Sequence, residues 1–377
     1  MTIRGDKDPK AEHAELVGRV RRFVAEEVAP RAASIDRENA FPADVYRRMG
    51  EEGLLGLARP QGAGKTTLEW AVWIEELAAA SATVADIVCS ADLVALILDE
   101  HGTEEQKSMI GPLLAGETVG AFALTEAQAG SNAAAIETAA RREGATYVLQ
   151  GTKAWITCAQ AADWAIVLAK TDLEAGTRGI SAFLVERGGF TNGEGPYDTM
   201  GQRGTAVGEL YLCGCRVPEG AIVGEPGRGY RLAMKALDTG RIGIAALAVG
   251  VARAACEAAV DFAGSREQFG QTIASFQGLR WMLVDMATDI EAARLLTHRA
   301  ATLRDAGLRH TKESAMAKLR ASDVAMKVTV DALQIHGASG YSRDLPLERY
   351  VRDAKLTQIY EGTNQIQREV LARQLLG

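Results

Sequence analysis

Positive charge is in short supply in this chain. Its 377 residues carry 42 Lys and Arg against 49 Asp and Glu, a net charge of -7. No basic excess exists to meet a phosphate backbone, which argues against nucleic acid as a partner. The same deficit is a poor match for an anionic membrane. No unbroken run of 18 apolar residues occurs, so no transmembrane helix is expected. Cysteine is sparse: Cys89, Cys158, Cys213, Cys215 and Cys256 form an odd number at irregular spacing. That predicts reduced thiols and a cytoplasmic protein rather than a disulfide framework. Cys213 and Cys215 stand one residue apart, which is not a C-x-x-C pair, and His13, His101, His298, His310 and His336 form no H-x-x-x-H pair. No metal site is expected. The segment Met1 to Glu15 is charged and lacks the apolar core of a signal peptide.

What is present is an ordinary globular balance, 47% hydrophobic and 24% charged. The length suggests two or three core-forming units, since domains run to roughly 100–200 residues. The first third reads helical. Leu16, Val17, Val20, Phe23, Val24 and Val28 recur at three- and four-residue spacing, and helical patterns return at Leu68 to Ala80, Val84 to His101 and Glu104 to Ala115. The middle changes period. Gly120 to Thr125, Tyr147 to Thr157, Trp164 to Lys170, Ile180 to Val185 and Glu209 to Leu212 are short β-rich runs separated by Gly, Asn and Asp. The last third is helical again. Arg241 to Ala263 is apolar nearly all round, and Leu279, Met282, Leu283, Met286, Ile290 and Ala293 make a stripe, as do Leu319, Met326, Val330 and Leu333. The expected fold is α+β: an N-terminal helical domain over 1–118, a middle antiparallel β domain (a small barrel or sandwich) over 119–225, and a C-terminal four-helix bundle over 226–377.

Two stretches invite chemistry. Gly62-Ala63-Gly64-Lys65-Thr66-Thr67 is reminiscent of a P-loop, but the required glycine five positions earlier is Arg59 and no strand precedes it; an exposed turn is the better reading. Near the end, Gln358-Ile359-Tyr360-Glu361-Gly362-Thr363-Asn364-Gln365-Ile366-Gln367 places one carboxylate beside a glycine and small polar residues. Alone it reads as a helix N-terminus, with Thr363 capping and Glu361 in solvent. A desolvated pocket would instead make Glu361 a general base.

The order helices, sheet, helices, together with a series of local strings, resembles the acyl-CoA dehydrogenase family over nearly the whole chain. The strings are Leu124-Thr125-Glu126 through Gly130-Ser131, Lys153-Ala154-Trp155-Ile156-Thr157, Met200 to Thr205, Val217-Pro218, Leu237 to Ala245, Arg266-Glu267-Gln268-Phe269-Gly270, Gln334-Ile335-His336-Gly337, and the 358–367 stretch itself. Each is weak alone, but their order is specific. The resemblance implies FAD, contacted by Leu124, Thr125, Gly130, Ser131, Trp155 and Thr157. It also implies contacts from Arg266, Phe269, Gln277 and the run Gln334, Ile335, His336, Gly337 and Ala338, with the Arg266 position reaching the FAD pyrophosphate of a neighbouring subunit. Thr363, Asn364 and Gln365 match positions at the adenosine or pyrophosphate. A homodimer or homotetramer follows.

Oxidising a saturated acyl thioester takes an α-proton to a base and a β-hydride to an acceptor. No side chain accepts hydride, so a flavin is required. In the family, the thioester carbonyl oxygen is held by a flavin ribityl hydroxyl and the backbone N–H of the catalytic glutamate. Glu361 matches that glutamate, Gly362 a substrate contact, Ser131 a pantetheine contact, and Asp238 to Arg241 a thioester-handle turn. Relatives that place the base just before the arginine of that string would need it at 240, where this chain has Gly240. Ala127, Asn132 and Ala338 depart from frequent family residues, and Pro60 to Glu69 is shorter than the usual loop. Trp70, Ile74, Leu93 and Leu96 are candidates for setting pocket depth.

The implied activity is FAD-dependent acyl-CoA dehydrogenation, with an electron-transfer flavoprotein or oxygen as acceptor. Two alternatives stand beside it. One is oxidation of a hydroxyacyl or hydroxymalonyl group on an acyl carrier protein, as in relatives serving polyketide extender units. The other is a non-catalytic flavin-fold binding subunit.

Overall fold

The computed structural model describes residues 11–58 and 66–376. The Gly62 to Lys65 part of the P-loop-like string, and with it most of Pro60 to Glu69, lies outside the described residues. The N-terminal helices are α1 (Ala11–Phe23), α2 (Ala32–Glu38), α3 (Ala43–Glu51), α4 (Thr67–Ala80), α5 (Ala82–His101), α6 (Glu104–Lys107) and α7 (Ile110–Leu114). Local chemistry starts them where they start. Thr66 and Glu69 form a reciprocal capping box on α4, and the Ser81 hydroxyl accepts from the Val84 N–H on α5. Helix α5 is buried on all sides for most of its length, and Asp86 and Asp92 are buried with it. An apolar helix that carries two buried carboxylates must find partners for them. The Gly56 N–H donates to Asp92 at 2.6 Å.

The middle of the chain forms β1 (Gly120–Ala123), β2 (Ala139–Glu143), β3 (Thr146–Ile156), β4 (Trp164–Lys170), β5 (Ile180–Glu186), β6 (Thr191–Asn192), β7 (Gly208–Pro218) and β8 (Ile222–Val223). They lie in the order β6-β7-β3-β2-β4-β5-β8, with β1 added on β4. The expected antiparallel sheet is a mixed one: β1 and β2 both run parallel to β4. Strand β2, Ala-Ala-Arg-Arg-Glu, carries too little β-branched or aromatic content to be read from its sequence.

The remainder is α8 (Gly229–Ser265), a short β9–β10 hairpin (Glu267–Gln268 with Gln271–Thr272), α9 (Gln277–Asp305), α10 (Thr311–His336), α11 (Ala338–Tyr341), α12 (Leu347–Thr357) and α13 (Asn364–Leu376). Helix α8 is long and apolar enough to cross a membrane, yet 83% of its most apolar window is buried within the protein. It is the core helix of the bundle. Asp238 to Arg241 are continuous helix within it rather than the expected turn, because nothing between Gly229 and Ser265 breaks the backbone ladder. Helix α10 buries Ala315, Ala317, Ala321, Ser322, Ala325, Val328, Thr329 and Ala332, while Val330 is exposed. Small residues rather than the anticipated Leu and Met stripe face α8, which lets the two axes approach closely.

Three ties bring the blocks together around the chain's end. Arg352 on α12 makes a bidentate pair with Asp36, both bonds at 2.7 Å. The Gln202 N–H donates to Asp353 at 2.5 Å. The Thr83 hydroxyl on α5 donates to the Arg203 carbonyl at 2.9 Å.

Candidate active site

The turn between α12 and α13 is built from two residues with positive φ, Glu361 at 56° and Gly362 at 90°. The left-handed backbone is costly for a glutamate, and such residues persist only where the surroundings hold them. Three side chains do so. The Lys318 ammonium donates to the Gly362 carbonyl at 2.8 Å and to Asn364 Oδ1 at 3.0 Å. Gln367 Nε2 donates to the carbonyls of Glu361 and Gly362. Arg241 Nε donates to the Glu361 carbonyl at 3.3 Å. Arg241 is itself fixed by Asp238 at 2.6 Å, one helical turn back, and Asp238 by the Thr311 hydroxyl, also at 2.6 Å.

The Glu361 side chain turns inward. Its Oε2 is buried and has no hydrogen-bond partner. The carboxyl lies against Gly240: a Cβ there would stand 2.7 Å from Oε2 and 2.9 Å from Oε1. Burial pushes Glu361 up to about 7, partly offset by Arg241 and Lys318. Lys318 is buried too, and that pushes it down to about 7 against the pull of Glu361. An unpartnered carboxylate oxygen near neutrality, with its backbone locked, has the chemistry of a general base.

A second group forms at the sheet edge. The loop after β1 is pinned from beneath by a buried pair, Glu126 with Lys153 at 2.8 Å. Lys153 also donates to the Leu124 carbonyl at 3.0 Å, and Glu126 accepts from the N–H groups of Glu137 and Thr138. The Ala154 N–H donates to the Thr125 carbonyl. Just beyond, the pairing of β3 with β7 slips between Lys153 and Ile156, a bulge that puts Trp155 at φ 59°. The bulge turns the indole out of the sheet: Trp155 is 60% exposed, with Tyr197 at 4.5 Å and tilted to it. Thr157 is half-buried beside it, and Gly130 and Ser131 are exposed on the loop. A large flat ring held out of the core by strained backbone, next to a loop of small and hydroxyl residues, fits a planar cofactor face with a polar tail.

A third group stands apart. Arg266 and Gln277 are exposed, and Phe269 is 92% exposed at φ 54°. Gln334, Gly337 and Ala338 are exposed at the far end of α10, with Ile335 buried. His336 is buried, stacked on Phe262 at 4.4 Å, with Nδ1 2.8 Å from the Ala332 carbonyl. Thr363 and Gln365 open instead onto a polar cleft of about 330 Å³ shared with Asp323, Lys355, Gln358 and Arg368. Asn364 is buried, and its side chain is taken up by Lys318, Ser322 and Asp323.

Reasoning from the sequence names Glu361, Gly362, Asp238 and Arg241, which the structure brings into one place, with Arg241, fixed by Asp238, bracing the turn. It misses Lys318 and the Glu126–Lys153 pair. The signal for Lys318 was a lysine in register with Ser322 and Ala325 on the buried face of α10.

Three domain models match in chain order: acyl-CoA dehydrogenase N-terminal domain over 10–117, middle domain over 121–215 and C-terminal domain over 227–376. The chain is 43% identical over 360 residues to the short-chain specific acyl-CoA dehydrogenase of Clostridium acetobutylicum, with 94% of this chain and 95% of that one covered. It superposes on butyryl-CoA dehydrogenase from Megasphaera elsdenii with a TM-score of 0.94, at 38% identity, covering 99% of this chain and all of that one. It also superposes on the prolyl acyl carrier protein oxidase AnaB with a TM-score of 0.93, at 29% identity over 98% of this chain and 100% of that one.

Proposed function

This chain belongs to the acyl-CoA dehydrogenase family, and we propose from that premise that it desaturates a short acyl-CoA, with Glu361 as the base. The family's cofactor, and this chain's, is FAD, which supplies when bound the hydride acceptor that no side chain can provide. Leu124, Thr125, Gly130, Ser131, Trp155 and Thr157 would hold its flavin end, and Thr363 and Gln365 the polar end beside their cleft. The single observation that carries the reading is the buried, unpartnered Oε2 of Glu361.

The chain's own part is then direct. Oε2 takes the α-proton, and the thioester carbonyl oxygen accepts from the Glu361 N–H while charge develops on it. Arg241 and Lys318 hold the carboxylate available near neutral pH. The half-buried Gly362 leaves room for the thioester beside that turn. Glu361→Gln keeps the shape and removes the proton acceptor. The purified variant should bind FAD normally yet show no bleaching of the flavin band with butyryl-CoA in stopped flow. Bleaching at the parent rate would sink the assignment.

Electron-transfer flavoprotein is the acceptor that suits this family, and oxygen the alternative; reoxidation rates with each distinguish them. The likeness to AnaB favours one second reading, an acyl group carried on a carrier protein. Flavin reduction by CoA thioesters against carrier-protein thioesters of the same acyl group decides between the two handles.

A further inference from the structure

The base turn is gripped by side chains from α8, α10 and α13, and α10 reaches it twice. Lys318 does so directly, through the Gly362 carbonyl at 2.8 Å. Thr311 stands seven residues earlier on the same helix, two turns or about 10 Å back, and reaches the turn at one remove. Its hydroxyl donates to Asp238 Oδ2 at 2.6 Å. Arg241 Nη1 donates to the other oxygen, Asp238 Oδ1, also at 2.6 Å. Arg241 Nε then donates to the Glu361 carbonyl at 3.3 Å. Thr311 opens α10, where a hydroxyl commonly serves its own helix end; here its proton goes across to α8.

Each link of this chain constrains the next. Asp238 divides its two oxygens between Arg241 and Thr311. The side chains of Arg241 and Asp238 are 7% and 16% exposed, so water is a poor substitute for a bond lost between them. The guanidinium also lies along the turn, with Nη2 3.9 Å from where a Cβ at Gly362 would stand. Glu361 needs that grip, because its φ of 56° persists only where the surroundings hold it. Without the Thr311 hydroxyl, Asp238 is free to turn both oxygens onto the guanidinium, the favoured bidentate pairing. That draws Nε off the Glu361 carbonyl, and the carboxyl that must meet the α-proton loses its aim.

We propose that Thr311 is a positioning residue for proton abstraction: its hydroxyl, acting through Asp238 and Arg241, fixes the aim of Glu361 without touching substrate or flavin. This rests on Glu361 being the base and goes beyond it by assigning a role to a residue on another helix. Helix α10 then sets the base from two levels, with Lys318 on the carbonyl of Gly362 and Thr311 behind the arginine on the carbonyl of Glu361. An aim set in this way matters to rate more than to binding, since reacting groups must meet within a narrow range of geometry.

The test is stopped-flow bleaching of the flavin by butyryl-CoA in FAD-loaded enzyme carrying Thr311→Val, Thr311→Ser, Asp238→Asn, or Thr311→Val with Asp238→Asn. Thr311→Val keeps the shape and removes the hydroxyl. It should lower the limiting bleaching rate by about 10- to 100-fold, the scale on which a misplaced group slows a reaction. The butyryl-CoA concentration at half the limiting rate should hardly move, because the interaction lost is one that only the transition state uses. Thr311→Ser, which keeps the hydroxyl, should restore the rate. Thr311→Val should cost little more once Asp238→Asn is in place, since both act through Arg241. A parent rate in Thr311→Val overturns the proposal, as does a loss that Thr311→Ser fails to repair. Losses that multiply in the double variant also overturn it, and so does a change confined to the half-saturating concentration. Thr311→Ala replaces Thr311→Val if the valine protein does not fold. Glu361→Gln tests the base separately: bleaching at the parent rate there removes the base itself, whereas an unaffected Thr311→Val removes only the positioning role.

Discussion

At the scale of single residues, the site is governed by what surrounds one carboxyl group. A base must be ionised, so kcat/KM should rise as pH climbs through about 7, where burial places Glu361. Lys318→Met removes one of the two cations that hold it down. The acid limb of the pH profile should then move up by about one unit, the low end for loss of a nearby opposite charge; a limb that stays in place would show Lys318 to be a backbone prop alone. The same burial has a stability consequence of fixed sign. With its folded pKa raised above the ordinary 4.5, Glu361 holds a proton in the folded state that the unfolded state has released. Stability therefore falls as pH rises from about 4.5 to about 7. Glu361→Gln escapes that loss. Its Tm should match the parent's at pH 5 and exceed it at pH 8, and a Tm gap independent of pH would contradict the burial of the charge. Gly240 belongs to this scale as well. Its lack of a side chain is what admits the Glu361 carboxyl, and this much was readable in the sequence as a glycine at a competing base position. That it touches the glutamate was not, because 121 residues separate them in the chain.

At the scale of elements, the loop after β1 depends on an ion pair that no periodicity announces. Lys153 and Glu126 are 0% and 3% exposed. Burial opposes both charges, yet Lys153 and the donating N–H groups hold Glu126 down to about 2. Removing one partner leaves the other charge buried and uncompensated, which typically costs about 3–5 kcal/mol. Lys153→Met should lower the Tm steeply and reduce FAD content, because the carbonyl of Leu124 loses its donor at the same time. Adding Glu126→Gln should restore a good part of both, a coupling that a double-mutant cycle on Tm and bound FAD measures. Additive losses would mean that the two side chains act independently. Strands β4 and β5 were legible from their aliphatic runs, as were α4 and α5 from theirs. Strand β2 and the β9–β10 hairpin were not, being short and polar, with edges set by pairing rather than by their own residues. Ion pairs such as this one are illegible for the same reason: local sequence does not encode which distant charge a buried lysine will meet.

At the scale of the whole molecule, the FAD contacts implied by the sequence do not fit inside one chain. Helices α8 and α10 run in the same direction, with α9 returning between them, since Lys318 meets the Arg241 level while His336 stacks on Phe262. Ser265 lies 24 residues beyond Arg241 on one continuous helix, a separation of about 36 Å at the helical rise. Arg266, Phe269, Gln277 and the 334–338 run thus cluster at the end of the bundle away from Glu361. There Phe269 stands 92% exposed and, further along α9, Trp281 and Val284 are 61% and 62% exposed. A side chain cannot bridge that distance, and large exposed apolar residues at this end suit a contact with a second copy of the chain. If these residues hold FAD at all, they hold it for a second copy of the chain. The protein should then sediment as a multiple of 40.1 kDa. Arg266→Glu, made throughout, should lower FAD content and activity without lowering Tm much, because the side chain is exposed in the free chain. Co-expression of Glu361→Gln chains with Arg266→Glu chains is the decisive case. In a mixed pair, one site combines the intact Glu361 of one chain with the intact Arg266 of the other, so activity should rise above that of either parent. A site complete within one chain leaves every combination defective, and failure of the mixed oligomers to recover activity would return Arg266 to an ordinary surface charge.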